Sequence, residues 1–402
     1  MSATPATAPP QIAVGAIGAV MALALLLLSL NFPVLMQDVG EADPLAPMRW
    51  WQVGGPAATP TLLLTQGAAI GALLLSALWA LWSTPGAART LGLVALSGIG
   101  AGALLAITPT DQVSTPGSGY WLATAALALL AVVGVRRVAR LALPSALGSL
   151  SAWFTAGVFG AWALLFWELL VTGFGVPRVL LPAPSAIAVA LWEHAGTLGG
   201  DLVQTVLKAV LVGYVLGSGL GVLTGIAIDR LPFLQRGLLP VASLSSTVPL
   251  VGVAPIAVMW FGFDWPSKAA VVTLMTFFPA LISTLAGLQA TGRLERELMH
   301  AYAAGYQRTL LSLRLPAALP FIFSALKVNA TLALIGAIVA EFFGSPTVGL
   351  GFRISTEASR LNMPLVWAAI VVASVVGSIL FALLAALERR VNFWHPSVRA
   401  AS

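Results

Sequence analysis

The fold class predicted for this chain is all-α: a polytopic membrane protein of about ten transmembrane helices. Three observations predict it. Apolar residues make up 59% of the 402 residues and charged residues only 8%, against roughly 25% charged in a soluble domain. The apolar residues come in continuous runs of bilayer-spanning length and not in the short alternations of a membrane β-barrel. Lys and Arg collect on alternate loops. A soluble enzyme and a disordered chain are excluded. So is a nucleic-acid binder with a basic surface, because the net charge of +6 is spread over the whole length. Without Cys there are no disulfides, thiolate metal sites or Cys nucleophile.

Ten spans are read: Ile12–Leu35, Thr61–Trp82, Leu91–Ile107, Tyr120–Val135, Ala152–Thr172, Val203–Ile228, Leu238–Gly262, Ala269–Leu288, Phe321–Phe343 and Leu365–Leu387. The third and fourth are short. Residues 1–48 contain no Lys or Arg, so the first run lacks the positive flank of a signal peptide and is read as a retained span. With both termini in the cytoplasm, 14 basic residues fall on the cytoplasmic side and 5 outside, with Lys208 inside a span. That asymmetry fixes the expected topology.

The spans fall into two blocks, 1–145 with four and 146–402 with six, joined by the Pro-, Gly- and Ser-containing stretch Leu141–Ser151. In the first block, Trp50 and Trp51 suit interfacial anchoring among lipid headgroups. Little intramembrane polarity is present there beyond Thr65, Gln66, Ser76 and Ser97, and a scaffold or lipid-facing belt is expected.

The second block carries a long polar segment, Ala290–Pro320. Leu294, Leu298, Ala301 and Tyr302 recur at helical spacing among Arg293, Glu295, Arg296 and Glu297, then Gly305 interrupts, and Arg308–Leu315 resumes before Pro316. Two short helices joined at a glycine are expected along the membrane surface, serving either as a plain interfacial loop or as a docking element for a cytoplasmic partner.

This segment resembles the conserved cytoplasmic loop of ABC importer permeases. Met299-His300-Ala301 stands at the Glu-Ala-Ala position, where only Ala301 matches, with Gly305 at the glycine and Leu313-Arg314-Leu315-Pro316 at the close. Further segments fit in order: Leu181-Pro182-Ala183-Pro184-Ser185, Pro255 to Gly262, Phe278-Pro279, Ala286-Gly287-Leu288, Glu341-Phe342 and Gly349-Leu350-Gly351. They look like the nitrate, sulfonate, taurine and thiamine-pyrimidine branch over residues 150–395, with the first block an addition.

The resemblance implies a type I permease core of six spans, a second copy of the chain, two ATP-binding cassette subunits that hold ATP and Mg, and an extracytoplasmic substrate-binding protein in a bacterial inner membrane. It also implies that Ala301, Gly305, Arg308 and Pro316 couple to the ATPase, with Gly305 supplying a positive φ or a close approach. The residues agree on one point: a phosphate-binding loop needs Gly-Lys-Ser/Thr. None of Lys208, Lys268 and Lys327 follows a glycine, so no ATPase chemistry is expected in this chain.

A polar solute needs partners inside an apolar bundle. Thr247, Trp260, Met275, Phe278, Asn329 and Thr331 are the pathway candidates, Asn329 because an intramembrane amide faces a partner or a cavity. The Pro- and Gly-rich run Thr247–Pro255 is expected to break the seventh span. Glu341 reads as a gate or as an acceptor for backbone groups of the Gly344–Gly351 turn, and Lys327 as a snorkelling cation. Glu168 is the other buried acid, but two isolated acids make a poor proton relay, since His194, His300 and His395 lie outside the spans. No metal site or catalytic residue is expected. The expected cargo is a small organic solute, sulfonate- or taurine-like or pyrimidine- or nucleobase-like. A secondary transporter is the alternative, although no convincing inverted repeat supports it.

Overall fold

A computed structural model describes residues 11–37, 46–50, 60–82, 86–107, 114–141, 148–231, 233, 237, 250–344 and 347–394. The chain divides into two compact units, Met1–Ala186 and Ile187–Ser402.

The first unit holds α1 (Gln11–Ser29), α2 (Pro60–Trp82), α3 (Ala87–Ile107), α4 (Ser118–Ala139) and α5 (Gly148–Gly173). Helix α1 packs on α2 and α4, α2 on α3, and α5 on α4. Leu26, Leu73, Leu93, Leu104 and Leu127 fill their common core. Helices α3 and α4 reach 21 and 22 residues, longer than their apolar runs, because Ala87–Thr90 and Arg136–Ala139 continue the helix past them. Ser76 and Ser97 bond back to their own helices, as hydroxyls in apolar surroundings do.

Three-residue strands β1 (Leu35–Gln37), β2 (Ala46–Met48) and β3 (Ser114–Pro116) form an antiparallel sheet in the order β2-β1-β3. Strands this short, two of them containing proline, show no alternation that a sequence reading could catch. They overturn the interfacial reading of Trp50, which is buried and donates from Nε1 to the Ser29 carbonyl at 3.2 Å. Trp51 lies outside the described residues.

The second unit opens on α6 (Pro184–Glu193), whose first residues belong to the first unit. There Glu168 accepts from the Ser185 N–H at 2.8 Å and its hydroxyl at 2.6 Å. This acid caps a helix. A continuous rod, Ala195–Asp229, follows: α7 (Ala195–Leu202), the π-helical segment Val203–Val210 and α8 (Leu211–Asp229). Next come α9 (Leu250–Phe261), α10 (Trp265–Gln289), α11 (Arg293–Ala301), α12 (Tyr306–Thr309), a π turn at Leu310–Arg314, α13 (Leu315–Phe343), α14 (Leu350–Ser359) and α15 (Met363–Val391).

Among the described residues, eight helices are long and apolar enough to cross a membrane, while α9 and the described part of α1 are shorter apolar helices. The seventh span read from sequence, Leu238–Gly262, is described only from Leu250 on, so Thr247 lies outside the described residues. Of the run Thr247–Pro255 expected to break it, only Leu250–Pro255 is described, and there helix α9 runs through Pro255, since a proline removes one hydrogen bond and neighbouring groups in a bundle can compensate.

Helices α8, α10 and α13 form the centre of this unit. Gly213, Gly217, Gly221 and Gly225 recur every four residues on α8 and bring its backbone against α10, as small residues do between membrane helices. A β-carbon at Gly213 would sit 2.6 Å from the Ala269 carbonyl oxygen, and one at Gly225 2.9 Å from Thr284 Cβ. At Gly221 it would collide with the Phe277 carbonyl oxygen. Gly221→Val therefore costs about 3 kcal/mol through overpacking, read as a lower unfolding temperature in detergent. Gly219→Val on the open side of the same helix, with no atom within 4 Å, leaves that temperature nearly unchanged.

Candidate functional site

The Ala290–Pro320 segment differs from its sequence reading in two ways. Helix α11 ends in a Schellman turn: the Ala304 N–H bonds the Met299 carbonyl at 3.0 Å and the Ala303 N–H bonds that of His300 at 2.9 Å. The left-handed residue is Ala303, with φ 48°. Gly305 has φ −66° and ψ 167° as the N-cap of α12, and no atom lies within 4 Å of a β-carbon built there. Neither a positive φ nor a close approach within this chain explains the glycine.

Pro316, moreover, does not end a short helix. Its missing N–H is absorbed by the π turn, in which the Leu315 N–H reaches back to the Leu310 carbonyl. The helix then continues unbroken from Tyr306 to Phe343. The loop is one short helix, one turn and the extended start of α13.

Helix α11 buries none of its residues. Leu294 and Tyr302 are 77% and 78% exposed, and Leu298 between them completes an apolar stripe at four-residue spacing. Ala301, Gly305 and Arg308 are exposed as well. The far side of the turn is anchored. Arg314 holds Asp229 with two hydrogen bonds, 2.6 Å and 2.7 Å, and its Nε donates to the Leu288 carbonyl at 3.0 Å. Tyr306 donates its hydroxyl to Asp229 at 3.1 Å, under the guanidinium of Arg230 at 5.3 Å.

At the opposite end of the same helices a second polar cluster forms around the start of α14. Three successive N–H groups, those of Gly349, Leu350 and Gly351, donate to Asp201 Oδ1, Thr205 Oγ1 and Glu341 Oε2 at 2.8, 2.8 and 2.7 Å. Thr205 in turn donates to Glu341 Oε1 at 2.8 Å, and Arg353 pairs with Asp201 at 2.8 Å. Gly349 has φ +143°, a conformation that suits glycine. The buried Lys268 donates to the carbonyls of Phe263, Asp264 and Gly344. Glu341 thus accepts from a backbone group of this turn. Asp264 lies outside the helices, where the Trp265 N–H holds its carboxyl below the usual carboxylate range.

The described pathway candidates do not converge on one place. Trp260 and Phe278 do share a groove between α9 and α10 of about 500 Å³, with Ile256, Thr273 and Leu274 along it. Met275 turns away to fill the space over Gly336, its Sδ 2.6 Å from a β-carbon built there. Asn329 is fully buried between three helices, donating to Ser218 Oγ at 3.0 Å and the Thr276 carbonyl at 2.7 Å. Its amide nitrogen thus ties α13 to both α8 and α10. Thr331 is exposed and bonds back to the Val328 carbonyl at 2.7 Å. Lys327 pairs with Glu388 at 2.7 Å.

Sequence reasoning missed Asp229, Arg314 as its partner, Asp201 and Thr205. The four-residue glycine period of α8 was the one legible signal near them. Among the described residues no group of His, Asp and Glu is arranged to hold a metal ion.

Residues 217–393, covering this loop and both polar clusters except Asp201 and Thr205, match the family described as binding-protein-dependent transport system inner membrane component. The formylaminopyrimidine transport permease protein of Halalkalibacterium halodurans is 33% identical over 235 residues, 58% of this chain and 92% of that protein. The chain belongs to this family of permeases. It is the transmembrane subunit of an ABC importer. The riboflavin transport system permease protein of Chloroflexus aurantiacus is 32% identical over 58% of this chain and 87% of its own length. A putative aliphatic sulfonates transport permease protein of Bacillus subtilis is 30% identical over 61% and 89%. About three fifths of this permease thus accounts for most of each relative, and the family match lies wholly in the second unit.

Proposed function

We propose that this permease moves a small nitrogen heterocycle, pyrimidine-like, across a bacterial inner membrane, driven by ATP bound with Mg to two separate ATPase subunits. Two copies of the chain form the pathway, a binding protein outside delivers the solute, and both termini face the cytoplasm. The observation that carries this reading is helix α11, none of whose residues is buried, with its apolar stripe Leu294, Leu298 and Tyr302. An apolar face left open at the end of a spanning helix pair is suited to a protein partner. Ala301, Gly305 and Arg308 lie on the same exposed side of the anchored turn, and Pro316, at the start of α13, keeps that turn joined to the spanning helix through the π segment.

The aromatic groove with Trp260 and Phe278 is the surface offered to the solute, with Thr273 as its polar group. Its described lining residues include no cation, which favours a stacking heterocycle over a sulfonate. Relatives named for riboflavin and formylaminopyrimidine transport support the same class.

The test is uptake of a labelled aminopyrimidine into proteoliposomes containing permease, ATPase and binding protein. The expected result is accumulation that requires ATP and the binding protein. Gradient-driven uptake by the permease alone, without ATP, would overturn the importer mechanism in favour of secondary transport.

A further inference from the structure

An acidic residue at a helix C-terminus is unfavourably placed, because it adds negative charge to the negative end of the helix dipole. Asp229 is nevertheless the last residue of α8, and its side chain is only 6% exposed. What holds it is Arg314, whose planar guanidinium grips both carboxylate oxygens and has a third donor for the Leu288 carbonyl, one of the open carbonyls ending α10. One side chain therefore closes the ends of two helices.

Those two helices are already locked together along their length. Gly213, Gly217, Gly221 and Gly225 bring α8 into backbone contact with α10, and Asp229 is the next position of the same four-residue series. Arg314 itself is the last residue of the π turn leading out of the exposed loop. Tyr306, at the start of the α12 turn that leads into it, reaches the same carboxylate. A displacement at Gly305 meets no flexible joint before Asp229.

We infer that the Asp229–Arg314 pair is a mechanical link between the exposed loop and the α8–α10 pair, so that ATPase movement at the loop shifts both helices as one body. Asp229 and Arg314 are positioning residues. The inference rests on the reading of the loop as the ATPase contact. It adds a transmission step that this reading leaves open.

The chain contains no Cys, so spin labels can be placed at will. One label goes on the polar side of α11 (Arg296→Cys) and one on the exposed face of α8 (Leu223→Cys). The labelled chain is assembled with ATPase, binding protein and an excess of unlabelled chain, and the intrachain distance is measured with and without ATP, Mg and vanadate. The expected wild-type result is a distance that keeps its maximum and width on nucleotide addition. In the charge-free double variant Asp229→Asn/Arg314→Gln, which leaves no unpaired buried charge, nucleotide shifts the distance by several ångström or broadens it. ATPase co-purification and the unfolding temperature stay at the wild-type level.

A double variant as invariant as wild type overturns the link. So does a wild-type distance that changes with nucleotide. Should the ATPase fail to co-purify even with the wild-type chain, the loop reading itself fails, a result separate from either of these.

Discussion

Gly305→Asp is expected to abolish ATP-driven uptake while the chain still folds and inserts. Within the chain the substitution is harmless: Gly305 is exposed, has an ordinary φ and leaves open space around a β-carbon. Aspartate is also a preferred N-cap, where Gly305 now stands at the start of α12. The damage arises only when a partner covers the turn. A carboxylate buried there without a counter-ion costs several kcal/mol, and each 1.4 kcal/mol is about a tenfold loss of affinity. Association with the ATPase should fall by roughly a hundredfold or more, seen as loss of co-purification and of uptake at unchanged membrane content. Gly305→Ala serves as the control and should retain most activity. Wild-type uptake by the aspartate variant would remove the loop from the coupling path.

Glu341→Ala is expected to have the largest effect on stability. Both carboxylate oxygens are used, one by Thr205 and one by the Gly351 N–H. Removing them leaves two buried donors unmet, at about 1–3 kcal/mol each. The expected loss is therefore about 2–6 kcal/mol, measured as the unfolding temperature by helical circular dichroism in detergent. Gly349→Ala attacks the same turn from the other side. Its φ of +143° is hostile to a side chain, and the new β-carbon would stand 2.7 Å from the Glu341 carboxyl group. Both variants should destabilise without altering ATPase association, because the cluster is at the other end of the helices from the loop. A variant with wild-type stability and impaired uptake would instead favour the gate reading of Glu341.

Continuous apolar runs made the helices legible, since a run of about twenty such residues has few other ways to be buried. The exposed loop was legible because charges crowd into Arg293–Glu297 between two apolar runs. What determined its shape was not. Proline at 316 reads locally as a stop, yet a π turn accommodates it, and which residue of Ala301–Gly305 turns left-handed depends on the helix end as a whole. The polar clusters were invisible for a different reason. Asp229 and Arg314 are 85 residues apart, and Asp201 and Arg353 are 152 apart, so each reads alone as a loop charge. Asn329 illustrates the same limit: its amide announces a partner, but only the packing of α8, α10 and α13 reveals that the partner is Ser218.

The π turn at Leu310–Arg314 also sets an angle. It carries one residue more than an α turn would, and each residue of an α-helix is worth about 100° of rotation. Everything before the turn is therefore wound about 100° further round the axis than a plain helix would place it. In that position Tyr306 meets the carboxylate that Arg314 grips from the turn's other side. The turn thus acts as a rotary setting: shortened by one residue, it would swing Tyr306 away from Asp229 and re-aim the exposed loop, with Tyr306, Arg314 and Asp229 all still present.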